Sequence, residues 1–311
     1  MLSRRAFLRA FLGLMAAGAS GVSYAVGIEP RFRLKVADYR LMSRSWAGVE
    51  PMRIAILADI HACRPWMPVE RIVEIVNRTN ALKPDVVLLL GDFTAGLRRF
   101  RTGRVRADEW GPVLGDLEGP LGVFSVLGNH DWWTDVETIR DALVAANIQV
   151  LENQAVRLNH KGAPVWLAGL GDQLAIPLRG GGFRGVDDLD KTTAALTDDA
   201  PAILMVHEPD IFPEVSERFA VTFAGHTHGG QIYLPVLGRP IVPSRFGERY
   251  AYGHIEETGR QMVVSGGLGC SIAPIRFRVP PEIVLVTLQG PANDAQMVYA
   301  GRMISGSESG I

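Results

Sequence analysis

Aspartate, asparagine and histidine recur in this chain in short turns, each closing an apolar run. In order these are Asp59-Ile60-His61, Gly91-Asp92-Phe93-Thr94, Gly128-Asn129-His130-Asp131, His207-Glu208-Pro209 and Gly225-His226-Thr227-His228-Gly229-Gly230. Carboxylates, a carboxamide oxygen and imidazoles form a hard-to-borderline donor set with no thiolate. Such a set suits Mn, Fe or Zn better than copper or an iron–sulfur cluster. Asp59/His61 and His226/His228 are each spaced by two, which on an extended segment turns both members of a pair to one side. Taken singly the fragments are weak, because D-x-H is commonly a turn aspartate and H-x-H a surface coincidence. Their succession at run after run favours a single metal site. With this many donors one aspartate must bridge two ions, and paired ions about 3.5–4 Å apart clamp both oxygens of an in-line phosphoryl displacement. Glu208 beside His207 does not make a zinc-protease helix, since Pro209 follows and no H-E-x-x-H is present.

The runs that must position these groups are Arg53–Ala58, Asp85–Leu90, Leu121–Leu127, Pro164–Leu170, Ala202–Val206, Val221–Ala224, Gln261–Val264 and Ile283–Leu288. Continuous Val/Ile/Leu stretches of this length read as strands buried on both faces. Val69–Leu82 has helical apolar spacing and starts after Pro68. Thr134-Asp135-Val136-Glu137 fits a capping box for a helix to about Asn147. Asp187–Leu196 and Ile211–Phe219 are weaker helices, and an extended lead-in strand is expected near Phe32–Leu41. Strands alternating with helices imply an α/β layered core, and open α/β sheets bind ligands beyond the carboxyl ends of their strands. His160 and His254 match no pattern and are expected to be exposed. Asp172 reads as a turn aspartate.

The series D-x-H, G-D, G-N-H-D, H and G-H-x-H, with Ser265–Gly269 and Pro280-Pro281-Glu282-Ile283, resembles the calcineurin-like metallophosphoesterases, in particular the bacterial branch exported by the twin-arginine route or associated with the membrane. The resemblance runs over about 52–290. It implies a four-layer α/β/β/α sandwich with mixed sheets and metal-dependent hydrolysis of phosphate esters, most of all phosphodiesters or pyrophosphates, nucleotide- or lipid-linked ones included. It also implies two divalent metal ions (Mn, Fe or Zn). Asp59, His61 and His228 would hold the first, Asn129, His207 and His226 the second, and Asp92 would bridge them. His130 would be the acid that protonates the leaving oxygen or would steady the charged transition state, with Asp131 positioning its imidazole. The chain departs from the family at Ala58, Ala95 and Gly266, none of them a direct ligand. A phosphomonoesterase, a non-catalytic metal-binding module on the same scaffold, and a metallo-β-lactamase-type hydrolase are the alternatives. The last needs H-x-H-x-D-H, whereas Gly229-Gly230 follows His228 here.

The chain opens Ser3-Arg4-Arg5-Ala6-Phe7-Leu8-Arg9, followed by uncharged residues from Ala10 to Ile28. This resembles a twin-arginine export signal, either cleaved after Ala25 or retained as an anchor. The expected division is 1–30 signal or anchor, 31–50 lead-in strand, 51–290 metallophosphoesterase domain and 291–311 tail. The body would then work in the periplasm or on the outer face of the cytoplasmic membrane, with the export machinery, an anionic phosphate ester and a membrane surface as partners. A balance of 32 basic and 33 acidic residues argues against a stable nucleic-acid complex. Arg98, Arg99 and Arg101, just after Asp92, read either as a solvated loop or as a basic flap that grips extra phosphates or an anionic membrane surface. Trp66, Trp132 and Trp133 flank the motifs, as core or as a stacking rim. Cys63 and Cys270 are too few for a disulfide framework, and read either as a single pair formed in an oxidising compartment or as unpaired small core residues.

Overall fold

The computed structural model describes residues 3–94, 97, 100 and 102–291. Ala95, Arg98, Arg99 and Arg101, and the chain from 292 onward, lie outside the described residues. In chain order the principal elements are α1 (Arg4–Ser23), β1 (Lys35–Met42), β2 (Met52–Leu57), α2 (Val69–Ala81), β3 (Val86–Leu89), α3 (Ala107–Leu114), β4 (Val123–Ser125), α4 (Asn129–Thr134), α5 (Val136–Ala145) and β5 (Gln149–Val150). There follow β6 (Gln154–His160), β7 (Ala163–Gly169), α6 (Leu189–Ala194), β8 (Ala202–Met205), β9 (Phe219–Ala224), β10 (Gly253–Glu257), β11 (Arg260–Val264) and β12 (Glu282–Gln289).

The strands form two sheets, ordered β1-β12-β2-β3-β4-β5 and β10-β11-β9-β8-β7-β6. Both are mixed. β2, β3 and β4 run parallel while β12 lies antiparallel to β2, and β9 is parallel to both β8 and β11. The period of two along each strand divides the core. Ile54, Ile56, Leu88 and Val126 face Leu167, Met205, Val221 and Phe223 between the sheets. Ala55, Leu57, Val87 and Leu89 turn the other way onto Ile72, Ile75, Trp110 and Leu143 of α2, α3 and α5. Leu204 and Val264 pack outward with Ile211 and Phe212 of the 3-10 turn Pro209–Glu214. The layers are therefore α/β/β/α. Side chains buried on both faces explain why these runs are continuously apolar rather than alternating.

Several local expectations need correction. Thr134 ends α4, and Asp135 instead caps α5, its carboxylate accepting from Thr138 N at 3.2 Å. In place of a helix over Ile211–Phe219 there is the short 3-10 turn Pro209–Glu214, since Pro213 removes a donor from any longer helix, and Phe219 already opens β9. α3 carries no helical signal in the sequence, because Gly111 and Pro112 read as breakers. The absent Cβ at Gly111 is what lets α3 pack closely on Ala142 of α5. His160 is buried, its Nε2 against Pro51 O at 3.2 Å. The segment after α1, set aside from the fold on sequence grounds, packs on the body, with Ala25 and Glu29 buried. Arg276 N donates to Ala25 O at 2.9 Å, Val279 N to Glu29 Oε1 at 2.8 Å, and Trp66 Nε1 to Val26 O at 2.9 Å.

Candidate metal centre

Both sheets present the carboxyl ends of their parallel strands to one place. Asp59 and His61 follow β2, Asp92 follows β3, Asn129 and His130 open α4 after β4, His207 follows β8, and His226 and His228 follow β9. The pairs two apart do not lie on extended chain, contrary to expectation. Asp59, His61, Asp92, His226 and His228 all have φ between 45° and 67°, the left-handed region that aspartate and histidine tolerate better than most residues and that clusters at functional sites. His61 and His228 therefore face each other, Nε2 to Nε2 at 3.0 Å, while His226 points elsewhere, its Nδ1 3.1 Å from Asn129 Oδ1.

The donor atoms fall into overlapping groups. Asp59 Oδ1 is 3.6 Å from His228 Nε2. Asp92 Oδ2 lies 3.4 Å from His61 Nε2 and also 3.4 Å from His207 Nε2. Asn129 Oδ1 is 3.1 Å from His207 Nε2. Clusters able to hold a cation are Asp59/His61/His228, Asp59/Asp92/His207, His61/Asp92/His130 and His207/Glu208/His226. Backbone carbonyls fix two of the rings. His61 Nδ1 donates to Thr94 O at 3.0 Å and His207 Nδ1 to Leu90 O at 2.6 Å, which leaves each Nε2 as the ligating atom. His207 Nε2 and Asn129 Oδ1 are then two acceptors in contact, and only a proton or a cation between them relieves the repulsion. The donor set fits divalent metal ions.

Burial shapes the charges. It pushes Asp59 up to about 7 and His61 down to about 3. Burial likewise lowers His226, and lowers His228 further beside His61 and Arg276. At His207 burial is outweighed by the Asp92 carboxylate, so its pKa rises well above the ordinary value, and Asp92 falls well below the usual carboxylate range in return.

Among the described residues Asp131 makes no hydrogen bond to the His130 imidazole, the partner the resemblance implies for it. Its carboxylate accepts from Asp92 N at 2.8 Å, Phe93 N at 2.9 Å and Gly128 N at 3.0 Å. Sitting in the first turn of α4, it points back at the orphan N–H groups and ties the Asp92 turn to the Asn129 turn. His130 N donates to Asp92 Oδ1 at 2.8 Å, and the His130 ring meets Ser271, Nε2 to Oγ at 3.2 Å. A lone serine in a glycine-rich loop gives no spacing signal that would single out Ser271. Nor does any spacing single out Arg276, fully buried, whose guanidinium donates to Gly266 O and Val279 O at 2.9 Å and reaches within 3.3 Å of His228 Nδ1. Asp172 accepts from Leu174 N at 2.8 Å, as a turn aspartate does, and burial beside Glu208 raises its pKa well above the ordinary value. Cys63 and Cys270 are buried free thiols, and burial lifts Cys63 to about 11, away from reactivity.

The centre opens into a cavity of about 940 Å³. Asp92, Asn129, His130, His226 and His228 form its polar floor; Trp133, Phe183, Ile232, Ile241 and Ile272 are among its apolar walls. Trp133 stacks on Phe183, with centroids 5.0 Å apart, and its Nε1 donates to Leu174 O. Among the described residues Arg245 is the one arginine or lysine on the lining, and its charge is shared with Asp210 and Glu214. Arg98, Arg99 and Arg101, the sequence's candidates for gripping substrate, lie outside the described residues.

The chain matches the sequence profile described as calcineurin-like phosphoesterase over residues 52–230. It is 29% identical over 298 residues to the uncharacterized metallophosphoesterase YkuE of Bacillus subtilis, covering 93% of this chain and 98% of that one. It is 28% identical over 292 residues to the phosphodiesterase YaeI of Escherichia coli, covering 93% and 100%. Among solved structures it is similar to a 5'-nucleotidase precursor of Thermus thermophilus, with a TM-score of 0.46 and 14% identity. That match covers 82% of this chain and 59% of the other, so this chain spans less than two thirds of it.

Proposed function

We propose that this chain, which belongs to the calcineurin-like phosphoesterase family, hydrolyses phosphodiesters at a site built for two divalent cations. The supporting observation is Asp92 Oδ2, placed equally far from His61 Nε2 and His207 Nε2, where one carboxylate oxygen serves both groups. Asp59, His61 and His228 would hold one cation, Asn129, His207 and His226 the other, and Asp92 both. Bound cations supply Lewis-acid polarisation of the phosphoryl oxygens and lower the pKa of water.

The side chains do the rest. Asp131, through the N–H groups of Asp92, Phe93 and Gly128, holds two ligand turns in register. His130, at the edge of the cavity, carries a proton at Nε2 toward the leaving oxygen. Ser271 Oγ, 3.2 Å from that nitrogen, orients the ring. The apolar walls exclude water from the developing charge and give room for the second ester group. A diester carries one negative charge against two for a monoester, and a lining with Arg245 as its described cationic side chain suits the former. Lipid- or nucleotide-linked diesters and diphosphates fit the same apolar trough.

The N-terminal end carries Arg4, Arg5 and Arg9, and Phe11–Phe32 is long and apolar enough to cross a membrane by length and composition. With the positive end kept inside, the body sits outside the cytoplasm, in keeping with the twin-arginine reading. The packing of Ala25, Val26 and Glu29 on the body supports a retained anchor over cleavage after Ala25, and residues 51–290 as the catalytic unit.

Turnover of bis-p-nitrophenyl phosphate and p-nitrophenyl phosphate by metal-analysed protein tests the reading. Mn-dependent cleavage of the diester above the monoester is expected, with loss in His130→Ala. Monoester preference would overturn the diesterase assignment, and metal-loaded but inert protein would favour a non-catalytic module.

A further inference from the structure

Between the centre and β10 the chain makes a tight turn whose apolar side chains are turned into solvent. Leu234 and Gly238 exchange backbone hydrogen bonds, N to O at 2.9 Å each way. At the tip Val236 is 102% and Leu237 74% exposed. Val236 holds φ at 79°, a conformation a β-branched residue resists. Ile241 and Ile272, 64% and 67% exposed, stand on the lining of the metal cavity. Nothing within the described chain covers these side chains, and large apolar groups turned outward together at one tip mark an interaction site.

The bonding network ties this turn to the N-terminal segment. Phe277 N donates to Gln231 O and Tyr233 N to Phe277 O, both at 2.9 Å. The Gln231 side chain donates to Ala273 O at 3.1 Å and accepts from Ser271 N at 2.8 Å. The turn and the 271–277 loop are thus one wall. The same loop receives the end of the membrane-suited helix, since Arg276 N donates to Ala25 O at 2.9 Å. No free linker separates the two, because the membrane-suited stretch runs directly into the docked residues Ala25 and Glu29, leaving residues 11–24 to enter the bilayer. A helix crossing a bilayer therefore holds this wall at the bilayer surface. Tyr233, with the Arg239 guanidinium 5.2 Å from its ring centroid, adds the aromatic–cationic pairing common at the headgroup level.

We propose that Val236, Leu237, Ile241 and Ile272 form a second membrane contact, inserting into the outer leaflet beside the anchor and setting the mouth of the metal cavity against the bilayer. Ile241 and Ile272 also line that cavity, so its opening and the inserted surface are continuous. The proposal rests on the retained anchor and is independent of which phosphate ester is cleaved. Interfacial apolar groups of this kind enter by about 5–10 Å.

Cys63 and Cys270 are buried, so a thiol introduced at the surface can be labelled selectively. The experiment uses the full chain in vesicles of phosphatidylethanolamine and phosphatidylglycerol, labelled with an environment-sensitive fluorophore at Leu237→Cys or, as control, Val144→Cys. Val144 is exposed near the far end of α5, the end that leads away from the metal site. Turnover of a soluble diester at the unlabelled rate verifies folding. The expected result is flotation of the protein with the vesicles, a blue shift at Leu237→Cys quenched by brominated lipid, and an aqueous spectrum at Val144→Cys. Flotation with an aqueous spectrum at Leu237→Cys overturns this contact alone, and failure to float overturns the anchor with it. A blue shift that grows with protein concentration and resists brominated lipid means that a second copy covers the patch, and also overturns the proposal.

Discussion

His61 and His228, separated by 167 positions in the chain, bring their Nε2 atoms to within 3.0 Å of each other, with rings stacked at 17°. One ring stands at the end of a first-sheet strand and the other at the end of a second-sheet strand, so the centre is a seam between the sheets. With His61 Nδ1 committed to Thr94 O, its Nε2 lone pair is available where the two sheets meet.

That seam gives the first expectation. His61→Ala should remove about one ion per chain, whereas Asp92→Asn, altering the carboxylate that faces both groups, should lower occupancy at both. Metal analysis after dialysis against a weak chelator reads the difference. Equal losses in the two variants would count against a shared carboxylate.

Asp131→Asn keeps size and removes charge from a side chain that accepts three backbone N–H bonds. Outer-shell groups of this kind typically contribute about 10–100-fold to metal affinity, and a loss of that order is expected. The pH profile of kcat should keep its shape, since Asp131 makes no hydrogen bond to the His130 ring. A shifted profile with unchanged metal affinity would favour the role the resemblance implies.

His130→Ala should lower kcat by about 10²–10⁴-fold, the usual range for a proton-transferring side chain. The loss should shrink for an ester whose leaving group needs no proton. Ser271→Ala should have a smaller effect in the same direction. Equal losses for good and poor leaving groups would remove His130 from proton transfer.

Metal affinity should fall as pH falls. Burial holds Asp59 at about 7, and the Asp92 carboxylate, against burial, keeps His207 protonated above its ordinary range. Each must give up its proton to bind a cation, while His61, at about 3, is already neutral. Below about pH 7 affinity should drop up to tenfold per pH unit for each proton displaced. In metal-free protein the sign for Asp59 runs the other way. The native state keeps a proton that the unfolded chain loses at 3.8, so this group's contribution to stability declines as pH rises from 3.8 toward about 7. Competition with a metal indicator across this range, with proton release from calorimetry in different buffers, decides; a flat affinity would show that no proton is displaced.

Gly128→Ala tests the fit of the backbone. A Cβ there would stand 2.7 Å from both Asp92 N and His207 Cε1, neither of which can retreat without moving a ligand. A loss of about 1–3 kcal/mol, the usual range for overpacking, should appear in thermal melts together with weakened metal binding. A variant with native stability and metal content would mean that the turn is looser than it looks.

The apolar runs were legible because strands buried on both faces leave a continuous signal, and the layered α/β order followed from their alternation with α2 and α5. The chemistry-bearing turns were legible because aspartate, asparagine and histidine crowd the run ends. α3 was hidden because Gly111 and Pro112 are breakers locally, yet Gly111 is what close packing on Ala142 requires. His160 seemed a surface histidine, since neighbouring residues cannot reveal that Pro51 O would meet it.

The sequence by itself determined which donors exist, in what order, and that they stand at strand ends, because residue type and run length are local properties. Tertiary structure decided which donors meet. His226 and His228 part company because left-handed backbone, not extended chain, carries them, and the packing of one sheet on the other braces that conformation. Asp131 went to the backbone rather than to His130 because the N–H groups of two separate turns converge on it, and that convergence exists only once β3 and β4 are paired.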